Sequence, residues 1–123
     1  MKILKIRKST EFQIIGKKGK KSHAKTLLLI ILPTPEIYLQ NKEQGKNAAN
    51  FLRVGFTVSK IVGNAVARNR AKRMLREAAR DVLSHQGKNH HDYVIIAKKE
   101  IVAASYEQIL QQLNSCAINL AKY

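Results

Sequence analysis

The sequence predicts an α+β fold, a single-domain α/β sandwich in which helices pack on one small sheet. Three observations predict it. Residues 27–32 read Leu-Leu-Leu-Ile-Ile-Leu, a continuous apolar run of strand length closed by Pro33 and Pro35. Residues 53–59 alternate, with Val54, Phe56 and Val58 set between Arg53, Gly55, Thr57 and Ser59, the period-2 pattern of a half-buried ribbon. After Asn64, and again after Ser105, apolar residues recur every three or four positions, which is helical spacing. The chain has 123 residues, 45% of them hydrophobic, enough for one core. It carries no internal repeat and no composition break, so residues 1–123 are read as one domain.

The elements follow in order. Ser9 or Thr10 starts a short helix carrying Phe12, Ile14 and Ile15, stopped by Gly16 or Gly19. The run Leu27 to Leu32 reads as a central strand covered on both faces. Residues 33–51 are rich in Pro, Asn, Gln, Gly and Lys and read as a long, mobile connection. The strand over 53–59 leads to a helix capped by Asn64, which Gly63 lets the chain approach tightly. Ala71, Met74, Leu75, Ala78 and Val82 form the apolar stripe of that helix. Lys88 to Asp92 is a polar loop before a strand over Tyr93 to Ala97. Ser105 and Gln108 fit a capping box, and Ile109, Leu110, Leu113, Ala117 and Leu120 supply the stripe of the last helix.

Charge carries the functional signal. There are 23 Lys and Arg against 8 Asp and Glu, a formal charge of +15, and the pI is near 10.3. A polyanionic partner is implied, RNA before DNA or an anionic membrane. The cations are localised: nine against one Glu over residues 2–25, and eight against one Glu over 53–80. From 81 to 123 the chain is balanced, four against four. At about 100° per residue, Arg68, Lys72, Arg76 and Arg80 form one row along the helix, with Arg73 beside it. Arg70 falls away from the row, on the side of Glu77 and Asp81. Like charges at i,i+4 repel, and a phosphate-rich partner would offset that cost. Arginine also suits bidentate phosphate recognition.

Other chemistries find little support. The single Cys116 excludes a disulfide within the chain and a zinc thiolate cluster, and its helical neighbours place it in the core. His90-His91-Asp92 would point to alternate sides of an extended stretch and make a poor ligand set. The carboxylates are scattered singly, without the pairs a two-metal nuclease requires. No signal peptide or spanning segment is evident, so a cytoplasmic protein is expected.

The segment Val58-Ser59-Lys60, Val62-Gly63-Asn64-Ala65-Val66, Arg68-Asn69-Arg70, Lys72-Arg73 and Arg76-Glu77-Ala78 resembles the signature of the bacterial ribonuclease P protein component. The resemblance extends over nearly the whole chain. Leu4, Glu11-Phe12-Gln13 and Lys18-Gly19 are similar to the family's first helix and its exit. Asp92 to Ala97 is similar to its last strand, and Ser105-Tyr106 to the opening of its closing helix. The resemblance implies the order α-β-β-β-α-β-α and a small mixed sheet, as in a ribosomal-protein domain. It also implies a left-handed β-α-β crossover through the basic helix, against the general right-handed rule.

The same resemblance implies a subunit of an endonuclease that removes the 5′ leader from precursor tRNA. In that enzyme the RNA subunit performs Mg2+-assisted hydrolysis, and no residue of the protein is catalytic or holds a metal tightly. The protein binds the catalytic RNA and the leader, and raises substrate and metal-ion affinity; no protein partner is implied. Arg53, Lys60, Asn64, Arg68, Asn69, Arg70, Lys72, Arg73 and Arg76 are the expected contacts to the catalytic RNA, Asn64 being more readily explained as a cap. The leader is expected in a cleft between the first helix and a sheet face. Phe12 matches the first aromatic of the family's Phe-x-x-x-Phe pattern, but the second position is Gly16, and Leu27 and Ile30 stand where relatives often have aromatics. Phe12 therefore has two roles open to it, stacking on a base or packing in the core. Lys17, Lys18, Lys20 and Lys21 are expected to hold the leader backbone. The alternatives are a ribosomal-protein-like RNA-binding module with no part in cleavage and, more weakly, a membrane-surface helix.

Overall fold

The computed structural model of the protein describes residues 1–39 and 50–123. Much of the connection expected over 33–51 lies outside them. The chain runs β1 (Lys2–Lys5), α1 (Ser9–Lys18), β2 (Lys20–His23), β3 (Leu27–Pro33), β4 (Phe51–Thr57), α2 (Ala65–Gln86), β5 (His91–Ala97) and α3 (Tyr106–Leu120). Short 3-10 turns at Glu36–Tyr38, Lys60–Val62 and Lys99–Ala103 join some of these. The five strands form one mixed sheet in the order β1-β4-β5-β3-β2. β4 is parallel to both β1 and β5, while β3 is antiparallel to β5 and β2.

This is the expected α+β sandwich, with one strand more at its edge. β1 is only four residues long, Lys-Ile-Leu-Lys, and only Ile3 of these is half-buried, so its pattern is too short to stand out. Parallel neighbours β4 and β5 are joined through α2, which is the expected β-α-β crossover.

Both faces of the sheet are covered, unequally. On one face Leu27, Leu29, Ile31, Leu52, Val54, Tyr93 and Ile95 meet the inner sides of α2 and α3. The helices contribute Leu75, Ala78 and Val82, and Ile109, Leu113 and Leu120, from the stripes that the spacing predicts, with Leu83 and Cys116 buried beside them. On the other face Ile30 and Val94 pack with Ile6 and Ile15 in a much smaller cluster, flanked by half-buried Phe12, Leu28, Leu32 and Ile96. The helix ends follow local chemistry. Asn64 Oδ1 accepts from the Ala67 N–H at 2.9 Å, and Ser105 and Gln108 make the reciprocal capping box. α1 continues through Gly16 and ends before Gly19.

Candidate nucleic-acid interface

Twenty-two residues of α2 carry the basic row on a helix whose other flank is sunk in the core. Lys60 is exposed at the preceding 3-10 turn. Gly63 then adopts φ 140°, a conformation that suits glycine, and the chain swings into the Asn64 cap. Asn69, Arg73, Arg76 and Arg80 are exposed, and Arg68 and Lys72 are half-buried along their stems. Among the described residues, none of Arg68, Lys72, Arg73, Arg76 and Arg80 forms an ion pair with a carboxylate. Their charge is therefore not neutralised by any described carboxylate. Arg70 differs, as its angular position predicts. Its guanidinium donates to the Val102 and Ala104 carbonyls at 3.4 and 3.3 Å, tying α2 to the turn before α3.

Arg53 is a correction to the sequence reading. It was expected on the RNA-facing surface, but it is only 7% exposed and faces its own chain's acids. Nε and Nη2 donate to the two carboxylate oxygens of Asp92 at 2.8 and 2.5 Å. Nη1 lies 2.8 Å from Glu11 Oε2 of α1. The Thr34 hydroxyl adds a hydrogen bond to Asp92 at 2.8 Å, and the Tyr38 ring lies 4.3 Å from the guanidinium carbon. The Asp92 hydrogen bonds raise the Arg53 pKa despite burial, so this guanidinium is permanently charged. For Glu11, burial alone would raise the pKa. Arg53, with Tyr38 and Lys8, outweighs burial and holds it below the ordinary value.

Phe12 lines an open cleft with Arg7, Ser9 and Gln13 on one side and Phe56, Thr57, Val58 and Lys72 on the other. The N-terminal half of α1, the end of β4 and the basic row of α2 therefore meet in one place. The edge of the Phe12 ring lies against Gly55, where an added Cβ would come 2.5 Å from Phe12 Cζ and 2.6 Å from Cε1. Phe12 thus packs on the small cluster and borders the cleft at once. Phe56 and Arg7 are cleft residues that the sequence reading missed. Phe56 alternates in phase with core residues, and only the end of β4 beside α2 leaves it half-open.

The four lysines assigned to the leader do not join this cleft. Lys17 and Lys18 end α1, while Lys20 and Lys21 lie on the edge strand β2. Lys18 and Lys20 border a separate apolar hollow with Ile31, Leu32, Pro33, His91 and Tyr123. The Lys21 ammonium donates to the Gly16 carbonyl at 2.8 Å. The cations that do border the Phe12 cleft are Arg7 and Lys72.

Glu11 and Asp92 face Arg53, and Asp81 faces His85. Among the described residues no group of three or more His, Cys, Asp or Glu could hold a metal. Nor is any described helix long and apolar enough to cross a membrane.

Comparison with known proteins converges on one family. The family model described as Ribonuclease P matches residues 1–121. A ribonuclease P protein component of Paramagnetospirillum magneticum is 39% identical over 109 residues, covering 89% of this chain and 76% of that protein. One from Bacillus cereus is 36% identical over 109 residues, covering 89% and 84%. The solved RNase P protein of Staphylococcus aureus is 30% identical with a TM-score of 0.71, covering 96% of this chain and 94% of that one. The Thermotoga maritima RNase P protein, at 20% identity, shares the fold with a TM-score of 0.69 over 97% and 96%. With its motif, its sheet and its basic helix all in agreement, the chain belongs to the ribonuclease P protein component family, named for a tRNA-processing ribonucleoprotein nuclease.

Proposed function

We propose that this protein binds the catalytic RNA of ribonuclease P through α2 and the 5′ leader of precursor tRNA through the Phe12 cleft. The observation that carries the reading is the meeting, at Lys72, of a half-open aromatic cleft with a cation row that has no carboxylate partner among the described residues. Arg68, Asn69, Lys72, Arg73 and Arg76, with Lys60, present donors on a stiff helix, so phosphates are met with little loss of side-chain freedom and condensed counterions are released. Arg70 joins them at the margin, its position shared with the carbonyls of the following turn. Asn64 acts as the helix cap that aims the row. In the cleft, Phe12 and Phe56 offer faces on which any base can stack, while Arg7 and Lys72 neutralise the backbone.

Bond cleavage falls to the RNA. The protein strengthens substrate binding and, by neutralising phosphate repulsion, the affinity of the assembly for Mg2+ held by RNA. It works in the cytoplasm as part of that assembly.

The test is reconstitution. Adding the purified chain to a bacterial ribonuclease P RNA at low magnesium should accelerate 5′-leader cleavage of a precursor tRNA. Absence of stimulation, with RNA binding retained, would leave a ribosomal-protein-like RNA-binding module. Cleavage by the chain without RNA would overturn the division of labour.

A further inference from the structure

Arg53 was expected to touch RNA and is instead buried between three elements. Its guanidinium fork is satisfied by Asp92 of β5, and its remaining Nη1 faces Glu11 in the first turn of α1. Glu11 immediately precedes Phe12. The Phe12 ring lies against Gly55, two residues beyond Arg53 on β4. One strand therefore holds α1 twice, by charge at Glu11 and by ring contact at Phe12. Little else anchors this helix, since Ile15 is its one buried residue. Glu11 Oε2 lies 2.8 Å from Arg53 Nη1, and this contact, with Tyr38 beside it, favours the charged carboxylate.

We infer that Arg53 is a positioning residue for the leader cleft: by clamping Glu11 it sets where the Phe12 ring lies, and so governs preference for a single-stranded leader without touching RNA. This rests on the cleft reading proposed above. The buried pair with Asp92 makes Arg53 immobile, and a fixed cation is what a half-buried carboxylate on a lightly anchored helix requires. With that charge contact gone, α1 keeps Ile15 in the small cluster but is free to pivot at its N-terminal end, where Phe12, Ser9 and Gln13 border the cleft.

The test compares Glu11→Gln, Gly55→Ala and Phe12→Ala in holoenzyme reconstituted with a bacterial ribonuclease P RNA. Equilibrium affinity is measured for precursor tRNA carrying a leader, for mature tRNA, and for the catalytic RNA alone. Glu11→Gln keeps size and polarity but removes the charge. It should lower the leader preference by about threefold to tenfold, the range of one lost favourable contact. Affinity for mature tRNA and for the catalytic RNA should hold, because α2 is untouched. Gly55→Ala, whose new methyl meets the Phe12 ring while the ion pair remains, should lower the same preference. A Glu11→Gln preference equal to wild type, or equal losses for leader-bearing and mature tRNA, overturns the positioning role. Phe12→Ala separates stacking in the cleft from the positioning of α1. If it lowers the preference while Glu11→Gln and Gly55→Ala do not, only the positioning role is lost. If Phe12→Ala leaves the preference intact, the cleft reading itself falls.

Discussion

On the α2 side of the sheet, arginines stand on a helix anchored by Ala71, Leu75, Ala78, Ala79, Val82 and Leu83. On the α1 side, Arg53 is drawn into a cluster with Glu11, Asp92 and Thr34 beneath a helix that buries Ile15 alone. The contrast teaches where a basic protein can leave charge unsatisfied. Burying Leu75, Val82 and Leu83 contributes about 1.5–3 kcal/mol each, whereas each i,i+4 repulsion costs roughly 0.2–0.5 kcal/mol. α2 can therefore keep its cations free for a ligand. α1 has no such reserve of apolar area, and an ionic contact supplements its docking. The described α2 cations stand without carboxylate partners, whereas Arg53 has two.

The largest effect is expected at Arg53. Arg53→Ala leaves Asp92 buried without its partner and should lower unfolding free energy by about 3–5 kcal/mol, measured by urea titration. Arg76→Ala should change the same free energy by no more than about 0.5 kcal/mol. Similar losses for both would erase the distinction between paired and free arginines.

The next effect runs the other way. Arg76→Ala should weaken binding to the catalytic RNA by about 1 kcal/mol and make the salt dependence shallower by roughly 0.7–0.9 in slope. Arg70→Ala should change the slope less, because that guanidinium also serves the Val102 and Ala104 carbonyls. Equal slopes for the wild type and Arg76→Ala would remove Arg76 from the interface.

A smaller gain is expected at Gly16. A Cβ added there meets nothing within 4 Å, so Gly16→Ala should stabilise α1 by about 0.5–1 kcal/mol, read as a higher melting temperature. A loss of stability would mean that the outer side of α1 is more crowded than its surroundings indicate.

The smallest effect concerns pH. Glu11 faces Arg53 on β4, with Asp92 beyond it on β5, Tyr38 from the turn after β3 and Lys8 just before α1. Its lowered pKa means that the folded state favours the ionised form. That contribution is fully present above the unfolded value, about 4.3, and is lost as pH falls through the lower folded value. Because Glu11 is partly exposed, screening keeps the contribution small. Glu11→Gln should flatten the stability profile below about pH 4, and an unchanged acid limb would remove Glu11 from this role.

Much of the architecture was legible because it rests on local rules. The period of Ala71, Leu75, Ala78 and Val82, the Asn64 cap and the Ser105–Gln108 box specify α2 and α3 within short stretches of chain. The angular sorting that separates Arg70 from Arg68, Lys72 and Arg76 is equally local, since one turn geometry orders all four. The run over 27–32 was legible as a covered strand because residues of both parities are apolar. β1 was not, as four residues with a single half-buried side chain carry no period.

The fate of Arg53 could not be read along the chain. Alternation places it opposite Val54 in facing, but which group waits there depends on strand pairing. The parallel register sets Arg53 beside Asp92, 39 positions later, and α1 folds over to bring Glu11. The same long-range pairing opens the cleft at Phe12 and Phe56, and carries Lys18, Lys20 and Lys21 away from it. Helical period and capping act over a few residues and are written into neighbouring side chains. Burial of a charge is settled only when distant strands come into register, because the cost of removing it from water depends on the partner it meets.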